Sequence, residues 1–245
     1  MRLTRVHVDQ PLAPGIELAL PEAAAAHLVR VLRLAVGDAC VLFDGSGSDY
    51  AGRVLAIGRR EVRVAVGEAT PVARESPLRI TLLQGIARGE KMDLILQKAT
   101  ELGVSEIRPL GSQRSEVKLD EARAAKRLSH WQSVVVAACE QSGRAVVPAV
   151  WAPAALATAL AALPAGGLRL ILDPFGALSL STLEPPGGQS ILLAVGPEGG
   201  WSPRDRDELV AAGFDGMRLG PRVLRTETAG LAAIAALQAR FGDLA

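Results

Sequence analysis

Beyond residue 77, short apolar runs alternate with stretches of helical periodicity, and this alternation constrains the fold more than any other feature of the chain. Arg79 to Ile86 reads as a strand. The next segment carries Met92, Ile95, Leu96, Ala99 and Leu102 at the spacing of an amphipathic helix and stops at Gly103. Ile107 to Leu110 is again a strand, Ala122 to Gln141 a long helix, and Leu168 to Leu172 and Ser190 to Val195 two further strands. Strands joined through helices pair in parallel, and continuous apolar strands suit a sheet covered on both faces, so the expected core is a parallel α/β sheet.

The first 70 residues follow a different pattern. Leu3 to Val8, Ala39 to Phe43, Tyr50 to Ile57 and Glu61 to Val66 are short apolar or alternating runs, punctuated by turn signals such as Asp44-Gly45-Ser46-Gly47. One helix is expected from about Pro21 to Leu34, with proline suited to its first turn and Gly37 just beyond its end. A small, mostly antiparallel barrel or sheet follows from this pattern. The boundary falls at Thr70 to Pro77, where two prolines and a polar cluster interrupt the periodicity, giving domains of residues 1–72 and 73–245.

A hydrophobic content of 49% over 245 residues supports buried cores of this size. No stretch of about 18 uninterrupted apolar residues is present, and the N-terminus lacks the pattern of a signal peptide, so a cytoplasmic protein without a membrane partner is expected. Cys40 and Cys139 lie far apart without metal-ligand spacing; His7, His27 and His130 form no metal or triad pattern. Neither a metal site nor a disulfide framework is expected. The net charge of +1 gives no general basic character, but Arg108, Arg114, Lys118, Arg123, Lys126 and Arg127 outnumber Glu116, Asp120 and Glu121 in one segment. That segment reads either as a face for phosphates or as a solvated helix face.

Two segments carry most of the chemistry. Leu193 to Trp201 (LAVGPEGGW) runs from a strand into a loop before a helix whose start is marked by Ser202 and Pro203, with Gly213 at its end. Leu219 to Ala229 (LGPRVLRTETA) feeds the last helix, with Thr226 or Thr228 as its expected cap. In an open α/β sheet, ligands sit beyond the carboxyl ends of the strands, where both loops fall. Gly196, Gly199 and Gly200 either admit a ligand close to the backbone or simply make a tight turn. The helix start beyond that loop favours an anion, yet neither a dinucleotide fingerprint nor a P-loop is present. Glu198 and Glu227 read as general bases, as acceptors for a nucleobase edge, or as helix caps. Arg222 and Arg225 suit a phosphate and a developing oxyanion. In Ala138 to Arg144 (ACEQSGR), Glu140, Gln141 and Arg144 crowd a helix end that Gly143 would close in the left-handed conformation.

At these residues the sequence resembles the RsmE family of bacterial small-subunit ribosomal RNA uridine N3-methyltransferases, within the SPOUT superfamily. Five ordered blocks carry the resemblance: HLVRVLRLAVGD at 27–38, GEKMDLILQKATELGVSEIRPL at 89–110, ACEQSGR at 138–144, LAVGPEGGW at 193–201 and LGPRVLRTETA at 219–229. The resemblance implies a PUA-like β-barrel that helps hold RNA, followed by a SPOUT domain with a trefoil knot. It also implies a homodimer acting on 16S ribosomal RNA, with S-adenosyl-L-methionine as methyl donor. The donor pocket would be lined by Leu172, Asp173 and Pro174; by Val195, Gly196, Pro197, Gly199 and Gly200; and by Leu219, Gly220, Arg222, Val223 and Leu224. Arg225 would stabilise charge on the uracil oxygens or orient the RNA, with Glu198 or Glu227 assisting proton removal. Arg114, Gln141 and Arg144 would contact RNA. Trp201 departs from the phenylalanine common in the family, and Asp173-Pro174-Phe175 falls in a more variable part of it. A related enzyme acting on a ribose 2'-hydroxyl or another base, and an RNA-binding assembly factor without catalysis, are the competing readings.

Overall fold

The computed structural model describes residues 4–21, 24–25, 28, 34–58, 61–115 and 121–244. The chain forms two compact units, Met1–Glu75 with Val136–Val147, and Ser76–Val135 with Pro148–Ala245.

The first unit is built on a five-stranded sheet of β1 (Arg5–His7), β2 (Glu17–Ala19), β3 (Ala39–Phe43), β4 (Ser48–Ile57) and β5 (Val62–Pro71), in the order β1-β3-β4-β5-β2. Among the described residues only the β1–β3 pair of this sheet is parallel. Alternation along β4 turns Tyr50, Gly52 and Val54 inward, and β5 does the same with Val62, Val64 and Val66. Gly52 faces Cys40 across the β3–β4 ladder, and a Cβ there would stand 2.6 Å from the Cys40 sulfur. Burial pushes the Cys40 thiol up to about 11 and that of Cys139 up to about 12, so both are inert packed thiols. The helix expected over 21–34 falls largely outside the described residues, as does Lys118 of the basic segment.

Residues 136–147 complete this unit through a buried ionic network. Arg144, 4% exposed, places its guanidinium on Glu75, while Arg74 donates to the Gly143 carbonyl at 2.9 Å and Arg5 to the Arg144 carbonyl at 2.9 Å. Arg5 in turn pairs with Asp49. Gly143 closes the preceding helix at φ 89°, its N–H donating to the Cys139 carbonyl, as a C-terminal glycine should.

The second unit contains β6 (Arg79–Gly85), α1 (Glu90–Glu101), β7 (Glu106–Gly111), the start of α2 (Glu121–Ser142), β8 (Ala149–Val150), β9 (Ala154–Ala155) and α3 (Leu156–Ala161). It continues with β10 (Leu168–Leu172), β11 (Leu178–Ser179), β12 (Ser190–Val195), α4 (Pro203–Ala211), β13 (Asp215–Arg218) and α5 (Thr226–Phe241). The sheet order is β11-β13-β10-β12-β6-β7-β8, with β9 also on β7, and every described pair is parallel. The expected mixed fold, a parallel sheet preceded by a small β unit, is thus the fold observed. Leu83, Ile171, Leu192 and Ala194 of the central strands pack with Leu209 and Phe214 in the core. Among the described residues no helix is long and apolar enough to cross a membrane.

Candidate active site

Strands β13, β10 and β12 are neighbours in the sheet, and the segments at their carboxyl ends form one cavity of about 610 Å³. That volume suits a nucleoside-sized ligand. β10 contributes Leu172, Asp173, Pro174 and Phe175; β12 contributes Val195, Gly196, Pro197, Glu198, Gly200 and Trp201; the segment after β13 contributes Leu219, Arg222, Val223, Leu224, Arg225, Thr226 and Glu227. Lys91 from α1, Arg114 from beyond β7, Arg206 from α4, Met217 of β13 and Ala229 of α5 complete the wall.

Local chemistry shapes each loop. The helix start beyond β12 is closed by its own residues: Ser202 Oγ accepts from Asp205 N at 3.0 Å, and Asp205 Oδ2 accepts from Ser202 N at 3.0 Å. This capping box satisfies the Asp205 amide, one of those that the sequence offered to an anion. Beneath the Gly196 loop lies Gly85, where a Cβ would stand 2.5 Å from the Pro197 nitrogen. After β10, Asp173 is buried at 5% exposure, accepts from Phe175 N at 3.0 Å and pairs with Arg206.

The last helix differs from expectation. Its N-cap is Arg225, with extended backbone and no side-chain capping bond; neither Thr226 nor Thr228 caps it. Thr226 Oγ1 instead donates to the Gly196 carbonyl at 2.5 Å.

The carboxylates meet at one end of the cavity. Lys91 Nζ stands 3.4 Å from Glu198 Oε1 and 3.8 Å from Glu227 Oε2. Glu198 Oε1 also accepts from Arg88 N at 3.0 Å. Burial by itself would raise the Glu198 carboxyl, but the backbone N–H groups of Arg88 and Glu198 and the Lys91 ammonium hold it below its ordinary value of 4.5. A carboxyl lowered by folding stabilises the fold above that ordinary value and loses its contribution as pH falls through the lower folded value. The melting temperature of the wild type should therefore exceed that of Glu198→Gln most at neutral pH, and the gap should close in scans below pH 4.5. A gap independent of pH would contradict this account.

Most of the sequence-derived site residues come together here. Gly199 and Gly220 do not line the cavity: Gly199 packs against Arg114, which donates to its carbonyl at 3.1 Å, and Gly220 makes a turn at φ 72°. Gln141 is exposed and Arg144 buried, both in the first unit. The sequence reading passed over Lys91, Arg206 and Met217 as lining residues, and over Gln84 behind the wall. Gln84 left a legible sign, a lone amide in the apolar run Ile80 to Ile86.

A cavity with apolar walls, glycine-rich edges, a buried indole N–H on Trp201 without a hydrogen-bond partner among the described residues, and cations beside carboxylates can hold a heterocycle and move a proton beside it. Residues 74–238 match the model of the RNA methyltransferase domain, and residues 20–66 that of the RNA methyltransferase PUA domain. The chain is 30% identical to ribosomal RNA small subunit methyltransferase E of Buchnera aphidicola, over 99% of this chain and 98% of that protein. The chain belongs to the ribosomal RNA small subunit methyltransferase E family. The family member of Bacillus subtilis is 31% identical over 86% of this chain and 85% of its own length. Among solved structures, that of the family member from Neisseria gonorrhoeae, bound to S-adenosyl methionine, is 40% identical with a TM-score of 0.92, covering 100% of both chains. A Legionella pneumophila protein in complex with the bound cofactor SAM is 36% identical with a TM-score of 0.95, again over 100% of both chains. The family membership that the five sequence blocks indicate is therefore shown.

Proposed function

We propose that the protein uses S-adenosyl-L-methionine to methylate N3 of a specific uridine in 16S ribosomal RNA of the small ribosomal subunit. One observation carries this reading: the loops after β10, β12 and β13 converge on a single cavity with Arg225, Glu198 and Glu227 in its wall. The donor fits the residues present. Gly196 and Gly200 bring backbone groups to the edge of a heterocycle, Leu172, Val195, Met217 and Leu224 supply apolar faces, and Trp201 Nε1 offers an unspent donor. Convergence of three loops from one sheet is also what a trefoil-knotted chain would supply.

When bound, this cofactor supplies a methyl group made electrophilic by its sulfonium. The protein's own tasks are to free the uridine N3 lone pair and to align it. Glu198 Oε1 is committed to Arg88 N and Lys91, so it anchors the loop. Among the described residues Glu227 Oε2 accepts no hydrogen bond, and it faces Lys91 at 3.8 Å, so we assign proton removal from N3 to the Glu227 carboxylate. Arg225 then offsets the negative charge that builds on the uracil oxygens as the N–H bond breaks.

Arg114 extends the cationic rim towards RNA, and Gln141 offers an exposed amide; Arg144, engaged by Glu75, supports its own segment. A homodimer is part of the reading and would cover Phe175 and Val223, which stand 90% and 78% exposed beside the cavity. A ribosomal RNA substrate supports a cytoplasmic location.

Mass spectrometry of digested 16S ribosomal RNA, incubated with protein and labelled cofactor, should show one new methyl group on a uridine base. A label on ribose or on another base would overturn the uridine assignment, and failure to bind the cofactor in calorimetry would overturn the enzyme reading of this chain.

A further inference from the structure

Strand β6 is apolar along its buried stretch except at Gln84, which is 0% exposed. Its Nε2 donates to the Gly85 carbonyl at 2.9 Å and to Thr226 Oγ1 at 3.1 Å, and Thr226 Oγ1 donates onward to the Gly196 carbonyl at 2.5 Å. The other end of the amide, Oε1, is buried without a partner among the described residues. An unsatisfied buried carbonyl lowers stability, and an apolar side chain of the same length would avoid that penalty. A buried amide with one end idle points to use of the other end. Thr226 gives a second sign of this, because its hydroxyl, at the first position of α5, is engaged on both sides, accepting from Gln84 Nε2 and donating to the Gly196 carbonyl.

We infer that Gln84 and Thr226 are positioning residues for methyl transfer: a buried hydrogen-bond chain from β6 through the Thr226 hydroxyl to the Gly196 carbonyl aligns two walls of the pocket. Arg225 and Glu227 flank Thr226, and Pro197 and Glu198 follow Gly196, so one hydroxyl sets the placement of the charge-stabilising and proton-accepting groups against the loop that holds the donor. This inference rests on the proposed reaction, although its binding arm reads the chain without turnover.

The test compares Thr226→Val, Thr226→Ser and Gln84→Met with wild type in methyl-transfer kinetics, cofactor calorimetry and thermal melting. Thr226→Val should lower kcat by about 10- to 100-fold and weaken cofactor binding several-fold, whereas Thr226→Ser, which keeps the hydroxyl, should stay within about threefold in both. Gln84→Met should lower kcat while its melting temperature holds or rises, because the idle carbonyl is gone. Wild-type kcat and affinity in Thr226→Val, or equal impairment in Thr226→Ser, would overturn the inference. A Gln84→Met protein whose melting temperature falls while kcat is kept would do the same, showing a role in packing alone. Failure of the reaction reading would show separately, as wild-type protein that labels a different atom or none.

Discussion

Arg225→Ala is expected to lower the rate of methyl transfer by about 10²- to 10³-fold, the scale of losing one group aimed at developing charge, with cofactor affinity changed by less than about threefold. The substitution isolates the guanidinium. Arg225 sits at the N-cap of α5 in extended backbone at φ −68° and ψ 155°, a conformation alanine adopts freely. Its carbonyl accepts from Thr228 N and Ala229 N, bonds that survive the change, and its side chain makes no capping bond to lose. The side chain is exposed and, among the described residues, has no acidic partner whose charge would be stranded. Single-turnover rates with saturating cofactor and RNA, beside calorimetry of the cofactor, separate the two effects. A variant with normal turnover would remove Arg225 from the reaction.

Gly85→Ala attacks the pocket from beneath, and loss of cofactor binding by at least about tenfold is expected from a loop displaced by ångström amounts. The added methyl would stand 2.5 Å from the Pro197 nitrogen, 2.6 Å from Pro197 Cδ and 3.0 Å from the Gly196 carbonyl carbon. These are backbone and ring atoms, which cannot swing aside as a flexible side chain would. Overpacking of this kind costs about 1–3 kcal/mol, so the protein should stay folded while the Gly196–Gly200 loop shifts. Gly187→Ala provides the contrast, since a Cβ there meets nothing within 4 Å. Calorimetry with circular dichroism decides the matter: affinity within twofold of wild type in a folded Gly85→Ala protein would show that the loop does not depend on this close approach.

Much of the fold is legible along the chain. Ala39–Phe43, Leu168–Leu172 and Ser190–Val195 appear with the bounds read from their apolar runs, and Ser202 caps α4 as its spacing predicts. Each is encoded within a few neighbouring residues, by alternation or by a cap. β13 is not legible in this way. Asp215-Gly-Met-Arg218 has the composition of a turn, and it is a strand because β10 and β11 pair with it on either side. Thr226 shows the same limit for a single residue: local preference makes it a cap, whereas the Gly196 carbonyl opposite makes it a bridge.

For the site, the loops and their charged residues are visible because glycine, proline and ionisable side chains stand against apolar strands in LAVGPEGGW and LGPRVLRTETA. Their partners are not. Lys91 meets Glu198 and Glu227, Arg206 meets Asp173, and Gln84 meets Thr226 across 142 positions of chain. Residues 136–141 likewise continue a helix by their periodicity, yet with residues 142–147 they belong to the first unit through Arg144 and Glu75. Hydrophobic period, capping and turn chemistry act between near neighbours, so they settle which segments become strands, helices and ligand loops. Which charge faces which, and which hydroxyl spans two walls, depends on the packing of the sheet, because that packing alone brings distant segments within hydrogen-bond reach.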